Sequence, residues 1–211
     1  MIEVEEMTIE QVRDLLDRGE LTSKALVMFY LERIAKYDKG ERGLNAILEL
    51  NPEALQMADQ LDEERKQCGP RSILHGIPIL IKDNISTKDH MHTSGGSLAL
   101  ADLYVPFDAF IIKKLRASGA ILLGKTNMGE LMNFMSYTMP DGYSSRGGQV
   151  NNPYNRRLTP SGSSSGSAVA VAANLAMAAI GTETNGSPNG KPGWCLKHQP
   201  GNPRRRCYPC Q

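Results

Sequence analysis

The sequence predicts an α/β fold: a sheet buried on both faces, preceded by a helical region. Three observations carry this. The first seventy residues hold three helix-start signals followed by amphipathic spacing. Two short apolar runs, Ile77–Ile81 and Ala120–Leu123, are bounded by glycine or charge, as buried strands are. A helical segment lies between them, and strands alternating with helices imply an α/β sheet.

The helices come first. Thr8 and Gln11 form a capping-box pattern ahead of a short helix that ends near Gly19. Thr22 can cap a second helix reaching about Tyr37, with Leu26, Phe29, Tyr30 and Ile34 on one face. Asn51-Pro52 starts a third that runs to about Cys68. These apolar stripes read as core packing.

The pattern then changes. The run Ile77–Ile81 ends in Lys82, Asp83 and Asn84, which places polar groups at the tip of a buried strand. Asp108 to Ser118 reads as a helix capped by Asp108, with Ile111, Ile112 and Leu115 on one face, and Gly119 as its stop. Asn127 to Met135 is expected to be helical. Residues 136–162 are rich in Gly, Ser, Asn and Pro and read as a long loop. A small-residue helix is expected from Ser165 to Leu175, and a strand from Ala176 to Gly181.

Composition narrows the function. The 211-residue chain is 40% hydrophobic, enough for one sizeable domain, and its net charge of +1 gives no global case for nucleic acid. That charge is split. Five of the 24 bases and none of the 23 acids lie in residues 188–211, so residues 1–187 carry 19 bases against 23 acids, a net of −4. No stretch of about 18 apolar residues is present, so no membrane span is expected. The acidic start, MIEVEEMTIE, lacks the basic-then-apolar order of a signal peptide. One cysteine, Cys68, lies in the first 187 residues, and a reducing cytoplasm is the natural setting.

Two short motifs offer chemistry that their context denies. Gly119 to Thr126, GAILLGKT, fits the Walker A pattern, but its four intervening residues are Ala120, Ile121, Leu122 and Leu123. That run reads as a strand, whereas a phosphate cradle needs a curled loop whose N–H groups converge. Gly162 to Gly166 fits G-x-S-x-G, the nucleophile elbow, which needs an acid and then a histidine later in the chain. The later histidine is His198, in the aberrant tail; His75, His90 and His92 all precede the serines.

The densest polar segment is Thr159 to Ser187, two serine-glycine clusters separated by a helix and a strand. The first lies at a helix start, where N–H groups converge. The second, Thr184 to Ser187, follows a strand, where a turn can aim N–H groups at a developing oxyanion. Without a usable histidine, the candidate base is Lys82. Burial at a strand tip lowers a lysine pKa and lets the amine act neutral. The residues leave open a plain structural role, an ion pair with Asp83.

HGIPILIKDN (75–84), GAILLGKTNMGEL (119–131), GSSSGS (162–167) and GTETNGS (181–187) together resemble the amidase signature family, in that family's order, over roughly residues 5 to 187. The resemblance implies a mixed sheet core covered by helices, with residues 1–70 as an N-terminal helical region packing on the core and 71–187 as a partial amidase-signature core. It implies a Ser-Ser-Lys triad: Lys82 as base, Ser163 as bridge on a cis peptide bond, and Ser187 as nucleophile, 24 residues after the bridge. The backbone N–H groups of Thr184, Asn185, Gly186 and Ser187 would form the oxyanion hole. No cofactor, metal, nucleic acid or membrane is implied; the substrate would be a peptide amide or other small amide.

Residues 143–187 look most like bacterial peptide amidases, which release ammonia from C-terminal amides. The amidotransferase component that makes glutamine amide on transfer RNA usually has GGSSGGSA and a D-T-G-G-S ending. Here Ser161 and Ser165 replace glycines, Glu183 replaces aspartate and Asn185 replaces glycine. A glutaminase of that amidotransferase type and a non-catalytic remnant stand as alternatives. The composition after Ser187 departs from the family. Residues 188–211 hold five of twelve prolines and three of four cysteines, and are expected to be disordered, the product of a frameshift or truncation. Cys195, His198, Cys207 and Cys210 have zinc-pair spacing, but the gap between the pairs is shorter than in usual zinc motifs.

Overall fold

The computed structural model describes residues 4–183. Helix α1 (Ile9–Asp17) starts at Thr8 with both halves of the capping box formed. Helix α2 (Ser23–Tyr37) starts at Thr22, whose hydroxyl accepts from the Ala25 N–H. It buries Leu26, Val27, Tyr30 and Ile34, while Phe29 is half-buried. Helix α3 (Ala54–Cys68) follows the Asn51-Pro52 signal, and the Asn51 side chain accepts from the Glu53 N–H at 2.9 Å. Orphan donors at the starts of α1 and α2 are thus met by side chains, as the sequence signals require, whereas α3 has no side-chain cap.

The central sheet is mixed, and its strands β1 (Ile47–Leu50), β2 (Pro78–Lys82), β3 (Ile121–Thr126) and β6 (Ala178–Ile180) lie in the order β1-β3-β2-β6. Strand β2 is parallel to both β3 and β6, and every residue of β2 and β3 is buried. Continuous apolar strands belong in such a sheet, because both faces are covered. Strand β1 pairs antiparallel with β3 and has no counterpart in the sequence expectations. Its register slips between Ile47 and Glu49, and its four residues alternate poorly, so it carries neither strand pattern.

Three expectations need correction. Helix α4 (Phe110–Ala117) begins after Ala109, and Asp108 does not cap it. The Asp108 carboxylate instead accepts from the Lys88 N–H at 2.6 Å and from Arg116 Nε at 3.0 Å. Ile112 and Leu115 face the core, whereas Ile111 is exposed. Residues 127–135 are not an α-helix. After β3 the chain makes a short 3-10 turn, Glu130–Asn133, in which Leu131, Met132 and Asn133 adopt left-handed φ values of 43°, 61° and 70°. The Asn127 side chain is bonded to Asn45, Gly148 and Met128, the Gly129 N–H to the Ser163 carbonyl and the Leu131 N–H to the Gly95 carbonyl, so this segment is tied to distant parts of the chain. The loop 136–162 carries a small hairpin, β4 (Tyr143–Ser144) with β5 (Gly148–Gln149).

Helix α5 (Ser165–Ala172) packs against β6, β2 and β3, with its first turn bonded to the last residues of β3 and β6. Gly166 makes that approach possible. A Cβ there would lie 2.2 Å from the Asn127 carbonyl oxygen and 2.4 Å from that of Ala46.

Candidate active site

Lys82 is the last residue of β2, so it points from the sheet toward the start of α5. Its side chain is fully buried. Nζ donates to Ser163 Oγ at 2.8 Å and to Thr182 Oγ1 at 3.0 Å. Both acceptors are neutral hydroxyls. Burial pulls the amine down to about 8, against a smaller opposing pull from the Glu183 carboxylate. Desolvation penalises the charged form, so a neutral amine is accessible near physiological pH. Asp83 is not the partner of Lys82.

Ser163 is held by its main chain. Its carbonyl accepts from the Gly129 N–H at 3.0 Å, and the Gly162–Ser163 peptide bond is cis. The neighbouring serines fasten α5 to the strands. Ser164 Oγ donates to the Thr182 carbonyl at 3.2 Å and lies 3.3 Å from the Thr182 N–H. Ser167 Oγ bonds Thr126 Oγ1 at 2.7 Å and the Ile180 carbonyl at 3.0 Å. The serine-glycine cluster is therefore part of the packed core and not a linker. Thr182, which the motif reading did not single out, also accepts from Asn84 Nδ2 at 3.0 Å. Its signal was its position, two residues past a strand and two before the second polar cluster.

Asp83 lies on the other side of β2, with Lys125 of β3. Lys125 Nζ donates to the Ile85 carbonyl at 2.6 Å and to Thr93 Oγ1 at 2.9 Å, and burial pulls it down to about 8. The glycine-lysine of GAILLGKT is thus inside a strand, with its amine spent on protein acceptors and its backbone in the sheet, and no phosphate cradle forms. The elbow geometry is missing too. His75 meets the Leu61 carbonyl, His90 meets Glu53 and His92 meets Glu49, so among the described residues no histidine serves the serine cluster.

The structure brings together Lys82 and Ser163. Thr184, Asn185, Gly186 and Ser187, together with Cys195, His198, Cys207 and Cys210 and the tail expected to be disordered, lie outside the described residues. Among the described residues no group of three His, Cys, Asp or Glu side chains could hold a metal, and no helix is long and apolar enough to cross a membrane.

The model of the family described as Amidase matches residues 25–188. The chain belongs to the amidase family. A probable amidase of Arabidopsis thaliana is 48% identical over 186 residues, which is 87% of this chain and 36% of that protein. A glutamyl-tRNA(Gln) amidotransferase component of Protochlamydia amoebophila is 39% identical, over 84% of this chain and 35% of that protein. Among solved structures, the native peptide amidase of Stenotrophomonas maltophilia is 50% identical with a TM-score of 0.83, covering 87% of this chain and 37% of that one. An amidase family protein of Bacillus anthracis is 44% identical with a TM-score of 0.84, covering 87% and 36%. This chain thus spans little more than a third of the length of these proteins, and the mixed sheet with its helical cover is the part it shares with the two solved structures.

Proposed function

We propose that the chain carries the core of an amidase that hydrolyses a carboxamide to the acid and ammonia through a Lys82–Ser163–Ser187 relay. The observation that carries this reading is the buried Lys82 amine, 2.8 Å from Ser163 Oγ and with no carboxylate hydrogen-bonded to it among the described residues. Neutral Lys82 accepts the proton of Ser163, and Ser163 takes that of Ser187. Ser187 Oγ then adds to the amide carbonyl, and the N–H groups of Thr184 to Ser187 hold the oxyanion. The proton returns through the bridge to the leaving nitrogen, ammonia departs, and water cleaves the acyl-enzyme with Lys82 again as base.

The 50% identity to a peptide amidase favours the C-terminal amide of a peptide as substrate. The glutaminase reaction of a glutamyl-tRNA(Gln) amidotransferase is the second reading, supported by relatives of that name near 40% identity. The replacements at Ser161, Ser165, Glu183 and Asn185 weigh against it.

The test is ammonia release by the 211-residue chain, offered a peptide amide and, separately, glutamine. The expected result is release from the peptide amide, reduced by roughly a thousandfold or more in Ser187→Ala and in Lys82→Met. Release from glutamine that requires co-purifying partner proteins would favour the second reading. No release from either substrate would mark a non-catalytic remnant.

A further inference from the structure

The carboxylate that follows Lys82 has no step in the proposed relay, yet it is fully buried and engages three donors. Asp83 Oδ2 accepts from the Ser94 N–H at 3.2 Å, from Ser94 Oγ at 2.5 Å and from the Gly96 N–H at 2.8 Å. Asp83 Oδ1 has no hydrogen bond and lies 3.6 Å from Arg146 Nη1. We infer that Asp83 is a positioning residue for Ser163, acting through the Ser94–Gly96 turn; this rests on the relay proposed above.

The route is a chain of main-chain bonds. The Gly95 carbonyl accepts from the Leu131 N–H at 2.9 Å, and the Gly96 carbonyl from the Arg146 N–H at 3.1 Å. Leu131 belongs to the left-handed turn, and two residues before it the Gly129 N–H holds the Ser163 carbonyl at 3.0 Å. The same turn presses Asn133 onto the bridge segment, because a Cβ on Gly162 would lie 3.0 Å from Asn133 Nδ2. Gly95 and Gly96 have φ values of +61° and +78°, which glycine adopts without strain. A Cβ on Gly96 would lie 2.9 Å from Ser144 Cβ and 3.5 Å from Glu130 Cα, so this turn is wedged between the hairpin and the left-handed turn. Arg146 closes the clamp by donating to Ser94 Oγ at 3.2 Å and to Glu49 Oε2 at 2.6 Å. The base and its bridge serine are thus tied twice, once by their own hydrogen bond and once through Asp83 and these three segments. The second tie sets where Ser163 sits; the first depends on it.

Asp83→Asn tests this with two readouts. The amide keeps the size of the side chain, loses the charge and turns an NH2 group toward either Arg146 or the Ser94–Gly96 donors. Hydrogen–deuterium exchange of the 211-residue chain is expected to speed together in residues 94–97 and 129–131, with α1 and α2 unchanged. In ammonia release from a peptide amide, kcat is expected to fall about tenfold or more with KM within about twofold, since a small misplacement of a reacting group acts on the chemical step. The acid limb of the pH profile stays in place, because Asp83 does not set the charge of Lys82. Faster exchange confined to 94–97, an unchanged kcat, or a displaced acid limb would each overturn the inference. If Asp83→Asn does not fold, Ser94→Ala removes one of the three donors and is read in the same way. A wild-type chain that releases no ammonia defeats the relay, while the exchange readout still decides the clamp.

Discussion

Two buried lysines stand on neighbouring strands, one residue apart in register, and their surroundings differ in kind. Lys82 pairs with Thr126 across the β2–β3 ladder, and Lys125 with Ile81. Side chains alternate along a strand, so the two amines leave the sheet on opposite sides. Burial pulls both down to about 8. Lys82 meets two hydroxyls, one on the serine cluster. Lys125 meets a carbonyl and a hydroxyl, and the charges of Asp83, Asp89, Glu49 and Arg146 act on it. The lesson is that a lowered lysine pKa does not identify a base. What an amine can do follows from whether its partner can hand it a proton and whether that partner faces a reacting atom.

The sharpest way to break this contrast is to remove each amine in turn. Lys82→Met is expected to lower ammonia release by roughly a thousandfold or more, because the proposed relay would lose its acceptor. Lys125→Met is expected to lower stability by about 3 kcal/mol, since it strands the Ile85 carbonyl and removes a positive neighbour of Asp83. Its kcat should change by less than about tenfold in the chain that remains folded. Denaturant unfolding beside a kcat measurement separates the two. Equal kcat losses would dissolve the contrast. Ser163→Ala comes next, with kcat expected to fall roughly a hundredfold or more by losing the bridge.

Gly166→Ala probes the packing that brings the serines to Lys82. The new Cβ would collide with two backbone carbonyls, and a loss of about 3 kcal/mol is expected in denaturant unfolding.

The pH dependence follows from the lowered pKa of Lys82. In the proposed relay Lys82 acts in its neutral form, so kcat/KM should rise with pH through about 8 and then level. For stability, the folded value lies below the ordinary value of 10.5, so between about 8 and 10.5 the unfolded chain holds more protons. Stability relative to Lys82→Met therefore rises with pH across that window, by roughly 3 kcal/mol in all, and is flat below it. Parallel unfolding titrations of wild type and Lys82→Met measure this.

The smallest expected effect is at the rim of the Lys125 side. His92 Nδ1 lies 2.9 Å from Glu49 and its ring is tilted against Tyr104, with centroids 4.1 Å apart. His92→Gln should cost less than about 1 kcal/mol and leave kcat unchanged, as a partly exposed pair contributes little.

Much of this arrangement could be read from the residues. The capped helices, the two buried strands and the strand at Ala178–Ile180 carry strong local signals: a capping box, continuous apolar runs and punctuating glycines. Lys82 stood out because a charge at the end of an apolar strand must be desolvated. What escaped notice is non-local. Strand β1 is made a strand by its neighbour β3 and not by its own pattern. Asp108 has the chemistry of a cap, but Lys88, twenty residues away, claims it. The segment Gly129–Asn133 looks helical in sequence, and its Leu131 and Gly129 N–H groups bond Gly95 and Ser163 on distant segments. The clamp around Asp83 joins residues 49, 83, 94, 96 and 146, and no local window contains more than three of these.

The central claim is that the Lys82 amine is uncharged when the chemistry begins. Its titration, followed by NMR of the chain produced with 13C-labelled lysine, tests this most directly. Lys125→Met leaves Lys82 as the lysine pulled down to about 8, and adding Lys82→Met to that variant identifies the signal by its loss. A midpoint near 8 in Lys125→Met is the predicted result. A midpoint at the ordinary lysine value, or a signal near 8 that survives when Lys82→Met is added to Lys125→Met, would contradict it.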